Sequence, residues 1–301
     1  MQSAIKNIEN IEISNLPKGV KISTMCASCK LGTLINIANI EKYLQLDEYN
    51  ILTVKKSKEN MRTLIPIVIK PQRNKKSKYR KEKKDTAKNN FYNQITVVVR
   101  IDDNKIEDLS DAFRINMKIF KNGSVQMSGC KSVRDINIAL YKLIKKLSEI
   151  KAIIENGEIV EKQFIEDINK LSVYDFKIDM INSNYKVQIQ IDRNKLYNLL
   201  QKKKIKSSYE PCIRACVIIK YVPLIDNPDN KEVSIFIFQK GNIIITGARS
   251  KNHISASYNY INDILVTHID EIIKKEDEDL IMKYYHEVMK EQNIINDANK
   301  L

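Results

Sequence analysis

A fourteen-residue pattern occurs twice in this chain, at residues 119–132 and again at residues 237–250. Each copy carries a Phe, a Gly three positions later, a hydroxyl residue before a second Gly, and then a basic residue and a Ser. Phe238 follows Phe120 by 118 residues, and the later glycines keep the same offset. Two copies in one register indicate an internal duplication, so the chain has to fold as two similar units.

Each copy has the pattern of a β-hairpin. The dipeptides Asn122-Gly123 and Lys240-Gly241 are turn candidates, because Gly tolerates the positive φ that tight hairpin turns require. The residues on both sides of each turn alternate with apolar residues or form apolar runs, as strands do.

A helix is predicted after each hairpin. Ser132 and Ser250 can accept hydrogen bonds at the helix N-terminus, which predicts helices over 133–149 and 251–273. Apolar residues recur at spacings of three and four along both segments, namely Ile136, Leu140, Leu143, Ile144 and Leu147 in the first, and Ile254, Tyr258, Ile261, Leu265 and Ile269 in the second.

The strands that open the two copies, at Ile22 and Ile178, are 156 residues apart, so the first copy carries about 38 additional residues. Residues 70–90 hold ten Lys or Arg against two Asp or Glu, which predicts a polar loop that is either an inert insertion or an arm for phosphates or acidic partners. We therefore divide the chain into repeat 1 at 1–150 with a basic insertion at about 57–90, repeat 2 at 151–272, and a helical extension at 273–301.

The net charge of +14 suits a polyanionic partner, although a Lys-rich proteome would give the same excess. No apolar stretch reaches the roughly 18 residues of a membrane span, and the first residues do not resemble a signal peptide, so we expect no membrane association. Five cysteines favour reduced thiols. Cys26 and Cys29 have zinc-like spacing, but no second pair follows, so small buried residues are expected and neither a metal nor a cofactor.

Motifs of catalysis are absent from the sequence. His253, His268 and His286 stand without a constellation of cysteines or carboxylates, and neither a phosphate-binding loop nor a nucleophile elbow is present. The acidic run at 276–279 is typical of a solvated helix face. We therefore expect that the chain is not an enzyme.

The same segments resemble the TATA-box-binding protein family. The family's hairpin motif occurs at Phe120 to Lys131 and at Phe238 to Arg249, its entry to the second repeat at Asp175-Phe176-Lys177-Ile178, and its stirrup at Ser207-Ser208-Tyr209-Glu210-Pro211. The resemblance covers roughly residues 20–55 and 91–272. It implies an α+β saddle, an intramolecular pseudo-dimer with a curved antiparallel sheet of about ten strands and helices on its convex face.

The resemblance also implies a DNA-binding face. Phe120 and Phe238 match wedge residues that unstack base steps from the minor groove, whose readout is degenerate. The remaining matches are the strand hydroxyls Ser128 and Thr246 and the floor residues Gln126 and Ile244. Four basic residues match positions that face phosphates, namely Arg100, Lys131, Lys220 and Arg249.

Several positions depart from the family pattern. The second wedge of each repeat aligns with Gln94 and Arg214, although Ile213 or Phe91 could take its place. The residues that read the middle of the site align with Thr24 and Met180, and their neighbours with Cys26 and Asn182. Fewer wedges predict weaker bending, another preferred sequence, or dependence on partners.

The partners implied are AT-rich promoter duplex DNA, RNA polymerase, and a transcription factor IIB-like factor that would bind at Glu210. The protein would act as a monomer in a nucleus or in a cytoplasmic viral factory. Three alternatives stay open: a protein-interaction subunit of a transcription complex without autonomous DNA binding, an enzyme appendage with this fold, and a binder of single-stranded nucleic acid.

Overall fold

The chain forms two compact units in the computed structural model, which describes residues 13, 15–57, 59–66, 93–102, 108–225 and 227–274. The first unit includes Thr24–Asp179, and the second includes Ile13–Ser23 and the chain from Met180 onward. The basic stretch 70–90, Phe91, His286 and nearly all of the predicted extension lie outside the described residues.

The first unit is an antiparallel sheet with two helices. Its elements are β1 (Lys21–Lys30, in this unit from Thr24), α1 (Ile37–Tyr43), β2 (Ile51–Lys55), β3 (Met61–Thr63), β4 (Gln94–Arg100), β5 (Arg114–Phe120), β6 (Ser124–Cys130), α2 (Val133–Leu147), β7 (Ile150–Glu155) and β8 (Glu158–Gln163). The strand order is β1-β6-β5-β4-β2-β3, and β7 and β8 form a separate hairpin.

Among the described residues, the second unit has a similar order of elements, with one strand fewer after its first helix and a short helix in place of the β7–β8 hairpin. It contains β9 (Tyr174–Lys186, in this unit from Met180), α3 (Arg193–Lys202), β10 (Ser207–Ser208), β11 (Cys216–Tyr221), β12 (Val233–Phe238), β13 (Asn242–Ala248), α4 (Lys251–Thr267) and α5 (Ile269–Ile272). Its strands lie in the order β10-β11-β12-β13-β9, all antiparallel.

The α+β class and the antiparallel sheet are therefore confirmed. In each unit a strand and a helix precede further strands and a long helix. The β7–β8 hairpin was not predicted, because its apolar residues are interrupted by charges and three of its isoleucines, at 150, 154 and 159, are exposed. The predicted boundaries of repeats, insertion and extension stay predictions.

One face of each sheet is covered by helices because alternate strand residues are apolar. The buried residues of β5 and β6 include Ile115, Met117, Ile119, Val125 and Met127, and those of β12 and β13 include Val233, Ile235, Ile237, Ile243 and Ile245. The apolar stripe of α2 covers the sheet of its own unit with all five residues that the sequence predicted, each of them buried. No helix among the described residues is long and apolar enough to span a membrane.

The long helices begin where the serines predicted. Ser132 accepts from the Asp135 backbone N–H, and the Asp135 carboxylate accepts in return, which completes a capping box. Ser250 accepts from the His253 backbone N–H. The second helix ends earlier than predicted, at Thr267, because His268 leaves helical geometry before the short α5 begins.

Candidate nucleic-acid interface

The uncovered face of the first unit presents polar side chains. On β6, the exposed Gln126 and Ser128 alternate with the buried Val125 and Met127. On β1, Thr24 and Cys26 alternate with buried neighbours and are half-buried, and Cys26 lies opposite Ser128. The structure therefore brings Thr24, Gln126 and Ser128 to one face of this sheet.

The uncovered face of the second unit is more apolar. Ile244 and Thr246 of β13 are half-buried and alternate with buried isoleucines. The Thr246 hydroxyl donates to the Asn182 side-chain oxygen and lies 3.7 Å from the Met180 sulfur. Met180, Ile244 and Thr246 thus also share a face, as the sequence predicted for the central and floor positions.

Phe120 and Phe238 occupy equivalent places at the ends of β5 and β12. Each ring is half-buried and stands next to a turn whose Gly has φ near +80°, with +81° at Gly123 and +76° at Gly241. A Cβ at Gly241 would lie 2.2 Å from the Val187 carbonyl oxygen, so the turn requires Gly. These close turns hold both phenylalanines at the edge of the uncovered face.

The strand pairing corrects the predicted position of the second wedge residue in one of the two units. Phe120 lies opposite Gln94, but Phe238 lies opposite Cys216 rather than Arg214. Arg214 instead precedes β11 in an exposed turn. The equivalence of Gln94 with Arg214 was therefore wrong by two residues, because the connections between the paired strands differ in length.

Arg100 does not face phosphates, contrary to the sequence prediction. Its side chain is 3% exposed, and its Nε donates to the Asp102 carboxylate at 2.7 Å. A second donation, from Nη1, reaches the Glu48 carbonyl oxygen at 3.0 Å. A guanidinium buried in these contacts cannot reach a DNA backbone. Lys220 is not the counterpart of Arg100 in the second unit, because Lys220 lies opposite Ser234 while Arg100 lies opposite Arg114.

The Asp102 carboxyl belongs to this buried group. Burial alone would raise its pKa, but the hydrogen bonds from Arg100 and from the Phe113 backbone N–H, together with the positive charge of Arg100, outweigh burial and lower the pKa below its usual value. The pair therefore stabilises the first unit rather than an interface.

The other basic residues that were predicted to face phosphates are exposed. The Lys131 ammonium lies 4.8 Å from the centre of the Phe113 ring, and Arg249 pairs with the exposed Asp229 at 3.1 Å. The Lys220 ammonium donates to the Ser234 hydroxyl at 2.6 Å. Surface contacts of this kind are weak, so phosphates can compete for these groups.

Residues 207–216 run from β10 through a turn to the start of β11, and one arginine holds this segment in place. The Glu210 carbonyl accepts from the backbone N–H groups of Ile213 and Arg214, so the turn closes on itself. The Ile213 side chain is 71% exposed, and Glu210 and Arg214 are also exposed. Arg193, at the start of α3, donates to the Ala215 carbonyl oxygen at 2.9 Å.

The cysteines do not form a metal site. Cys26 is half-buried on the uncovered face of β1, whereas Cys29 is buried on the opposite face. Burial raises the pKa of Cys29 to about 12, and burial followed by the nearby Asp135 carboxylate raises the pKa of Cys130 to about 12. Within the described residues, no group of three or more His, Cys, Asp or Glu could hold a metal ion.

Sequence reasoning missed two residues of the uncovered faces. Lys118 is exposed on β5, and Phe236 is half-buried at the equivalent place on β12. The offset of 118 residues could have paired them, but their exposure depends on which strand face the helices cover. Arg193 was also missed, because nothing in the sequence around it indicates the turn that it holds.

The two units define an internally duplicated α+β protein in which each sheet leaves one face uncovered. Residues 175–268 match the family model described as transcription factor TFIID, or TATA-binding protein. A TATA-box-binding protein-like protein of Acanthamoeba polyphaga mimivirus is 38% identical over 263 residues, which cover 82% of this chain. The chain spans 65% of the length of that relative.

Residues 175–268 carry the domain of the TATA-binding protein family, and most of the chain is similar to a TATA-box-binding protein-like protein. The family consists of non-enzymatic DNA-binding transcription factors, in agreement with the sequence prediction that the chain is not an enzyme. Among solved structures, the Methanococcus jannaschii TBP is similar, with 18% identity and a TM-score of 0.46 over 81% of this chain and 96% of that one.

Proposed function

We propose that this protein is a transcription initiation factor that binds AT-rich promoter DNA in the minor groove and bends it. The observation that carries the proposal is the matched placement of Phe120 and Phe238, each half-buried at the end of a strand and beside a turn that requires Gly. Apolar wedges at such positions can unstack base steps and kink the duplex.

The neighbouring residues support this proposal. In the proposed complex the hydroxyls of Ser128 and Thr246 would lie near minor-groove acceptors, with Thr24, Gln126, Met180 and Ile244 as the rest of the floor. Lys131, Lys220, Arg214 and Arg249 are exposed and would contact phosphates, which position a protein on DNA without reading its sequence. Ile213 would add a second apolar contact beside Arg214.

Unstacking a step costs about a few kcal/mol, which the additional protein–DNA interactions of the bent complex must offset. Because Gln94 and Cys216 lie opposite the two phenylalanines, each wedge lacks a second ring on the neighbouring strand. We therefore propose weaker bending than a full set of four rings would give, and support from partners. Glu210 is exposed and would bind a transcription factor IIB-like factor, and the complex would recruit RNA polymerase in a nucleus or a viral factory.

The test is selection of random duplexes by the purified protein at several salt concentrations, beside the Phe120→Ala/Phe238→Ala protein. We expect enrichment of AT-rich duplexes and its loss in the double variant. Tyr141→Ala removes an exposed aromatic ring from α2 and is the matched control, which should keep the preference. Binding that is absent, or sequence-blind and unchanged by the double variant, would contradict the proposal.

That contradicting outcome would favour the second candidate, a protein-interaction subunit without autonomous sequence preference. The observation behind this candidate is the polar side chain of Gln94 in the place of a wedge. It predicts that the protein would bind duplex DNA with a preference only together with a IIB-like factor.

A further inference from the structure

The uncovered faces of the two units differ at one equivalent row of three residues, one from each of three neighbouring strands. In the first unit Lys118 lies opposite Thr96 on one side and opposite Gln126 on the other. We call these three residues the polar row. All three carry hydrogen-bonding groups, and Lys118 and Gln126 are exposed.

The second unit has an apolar row in the same register. Phe236 lies opposite Ile218 on one side and opposite Ile244 on the other. Phe236 and Ile244 are half-buried, and Ile218 is buried at 6% exposure. The row offers no side-chain donor or acceptor.

The next pairs along the strands are polar in both units. Asn116 lies opposite Ser128, and Ser234 lies opposite Thr246. On the third strand the next residue is the buried Val98 in the first unit and the exposed Lys220 in the second, so the polar-to-apolar change from the first unit to the second is confined to the rows.

We propose that the polar row lets the first unit accept G·C base pairs in its half of the DNA site, whereas the apolar row restricts the second unit to A·T pairs. This inference rests on the proposed function. In the minor groove a G·C pair differs from an A·T pair by the guanine N2 amino group, which is a donor. The three side chains of the apolar row offer that donor no acceptor, so its desolvation against them is unfavourable.

The polar row can satisfy that donor. The Gln126 amide oxygen is an acceptor, and the Lys118 ammonium donates to the N3 and O2 acceptors that every base pair presents. Both rows have a polar neighbour on the next strand, Ser28 opposite Gln126 and Asn184 opposite Ile244, so the difference between the units lies in the three residues of each row.

The consequence is a site with two unequal halves. A duplex with G·C pairs in one half binds by turning that half toward the first unit. A duplex with G·C pairs in both halves has no favourable orientation.

The experiment compares three duplexes that differ only in the central site: all A·T, G·C pairs in one half, and G·C pairs in both halves. For the unaltered protein we expect Kd values within about threefold for the first two and about tenfold weaker binding of the third. The Lys118→Phe/Gln126→Ile protein should already bind the second duplex about tenfold more weakly than the first. The reverse Phe236→Lys/Ile244→Gln protein should bind the third duplex within about threefold of the second.

Thermal melting confirms that both variants fold, since the substituted positions lie on the uncovered faces. The inference would be overturned if G·C pairs in the first half and in the second half weakened binding by the unaltered protein equally. It would also be overturned if the Lys118→Phe/Gln126→Ile protein kept the Kd values of the unaltered protein for all three duplexes. Either result leaves the proposed function intact if the all-A·T duplex still binds in preference to mixed sequence. Failure to bind the all-A·T duplex would overturn both.

Discussion

Arg193 stacks on Tyr209, with the guanidinium carbon 5.6 Å from the centre of the ring. The same guanidinium donates to the Ala215 carbonyl oxygen and, at 3.2 Å, to the Gln239 side-chain oxygen. Gln239 directly follows Phe238, so one side chain holds both the turn at 207–216 and the turn beside the second phenylalanine. Arg193 is a positioning residue for two segments of the proposed interface.

Replacing Arg193 by Lys should loosen both segments. Lys lacks the planar, forked guanidinium that stacks on a ring while donating from two separate nitrogens, so we expect the free energy of unfolding to fall by about 1 kcal/mol. Amide hydrogen exchange should rise at 207–216, and affinity for AT-rich duplexes should fall. Arg134→Lys alters an exposed arginine of α2 and is the control. Unchanged exchange at 207–216 would show that Arg193 does not hold this segment.

Asp102 should make the stability of the protein sensitive to acid. Its pKa in the folded protein is lowered, so its contribution is present above the unfolded value of about 3.9 and is lost as the pH falls through the lower folded value. Asp102→Asn removes a charge that compensates Arg100 and should cost about 2 kcal/mol at neutral pH. Denaturation of both proteins from pH 7 to 2 should give curves that converge in acid, and parallel curves would refute this role.

We expect the protein to be more stable with Ala than with Ser at position 183. Its hydroxyl is fully buried and, within the described part of the chain, has no hydrogen-bond partner. Ser183→Ala should therefore raise the free energy of unfolding by about 1 kcal/mol. Ser257 is the matched control, because its buried hydroxyl donates to the His253 carbonyl oxygen at 2.7 Å and its replacement by Ala should destabilise. A loss of stability in both variants would be inconsistent with an unsatisfied Ser183.

The cysteines should differ strongly in reactivity. Cys29 and Cys130 are buried with pKa values of about 12, so alkylation at pH 8 should be slow while the protein is folded. Cys212 is exposed in the turn at 207–216 and should react first. Mass spectrometry after brief iodoacetamide treatment would identify the modified thiols, with Cys212→Ser as the control. AT-rich duplex should protect Cys212 if the neighbouring Ile213 contacts DNA.

The repeated segments carried most of the information that could be read from the sequence. The offset between Phe120 and Phe238, the turn glycines and the helix-capping serines predicted two similar units, their hairpins and their long helices. These features are local, so they can be read without knowing which strands pair.

The predictions from the sequence were wrong or incomplete where strand pairing determines the surroundings of a side chain. Arg100 was predicted to face phosphates because it matches a basic residue of the family pattern, but an aspartate two positions away draws the guanidinium into a buried group. The contrast between Lys118 and Phe236 was also missed, because it acquires meaning only when the covered face of each sheet is known.

Along β5 and β12, buried residues that maintain the fold alternate with uncovered residues that are free to contact a ligand. The buried positions hold similar apolar residues in both units, whereas the uncovered positions include both the matched Phe120 and Phe238 and the contrasting Lys118 and Phe236. After a duplication, each half could therefore change its ligand preference by single substitutions without losing its fold. In such a chain one unit can change the residues of its uncovered face while the other unit keeps its own.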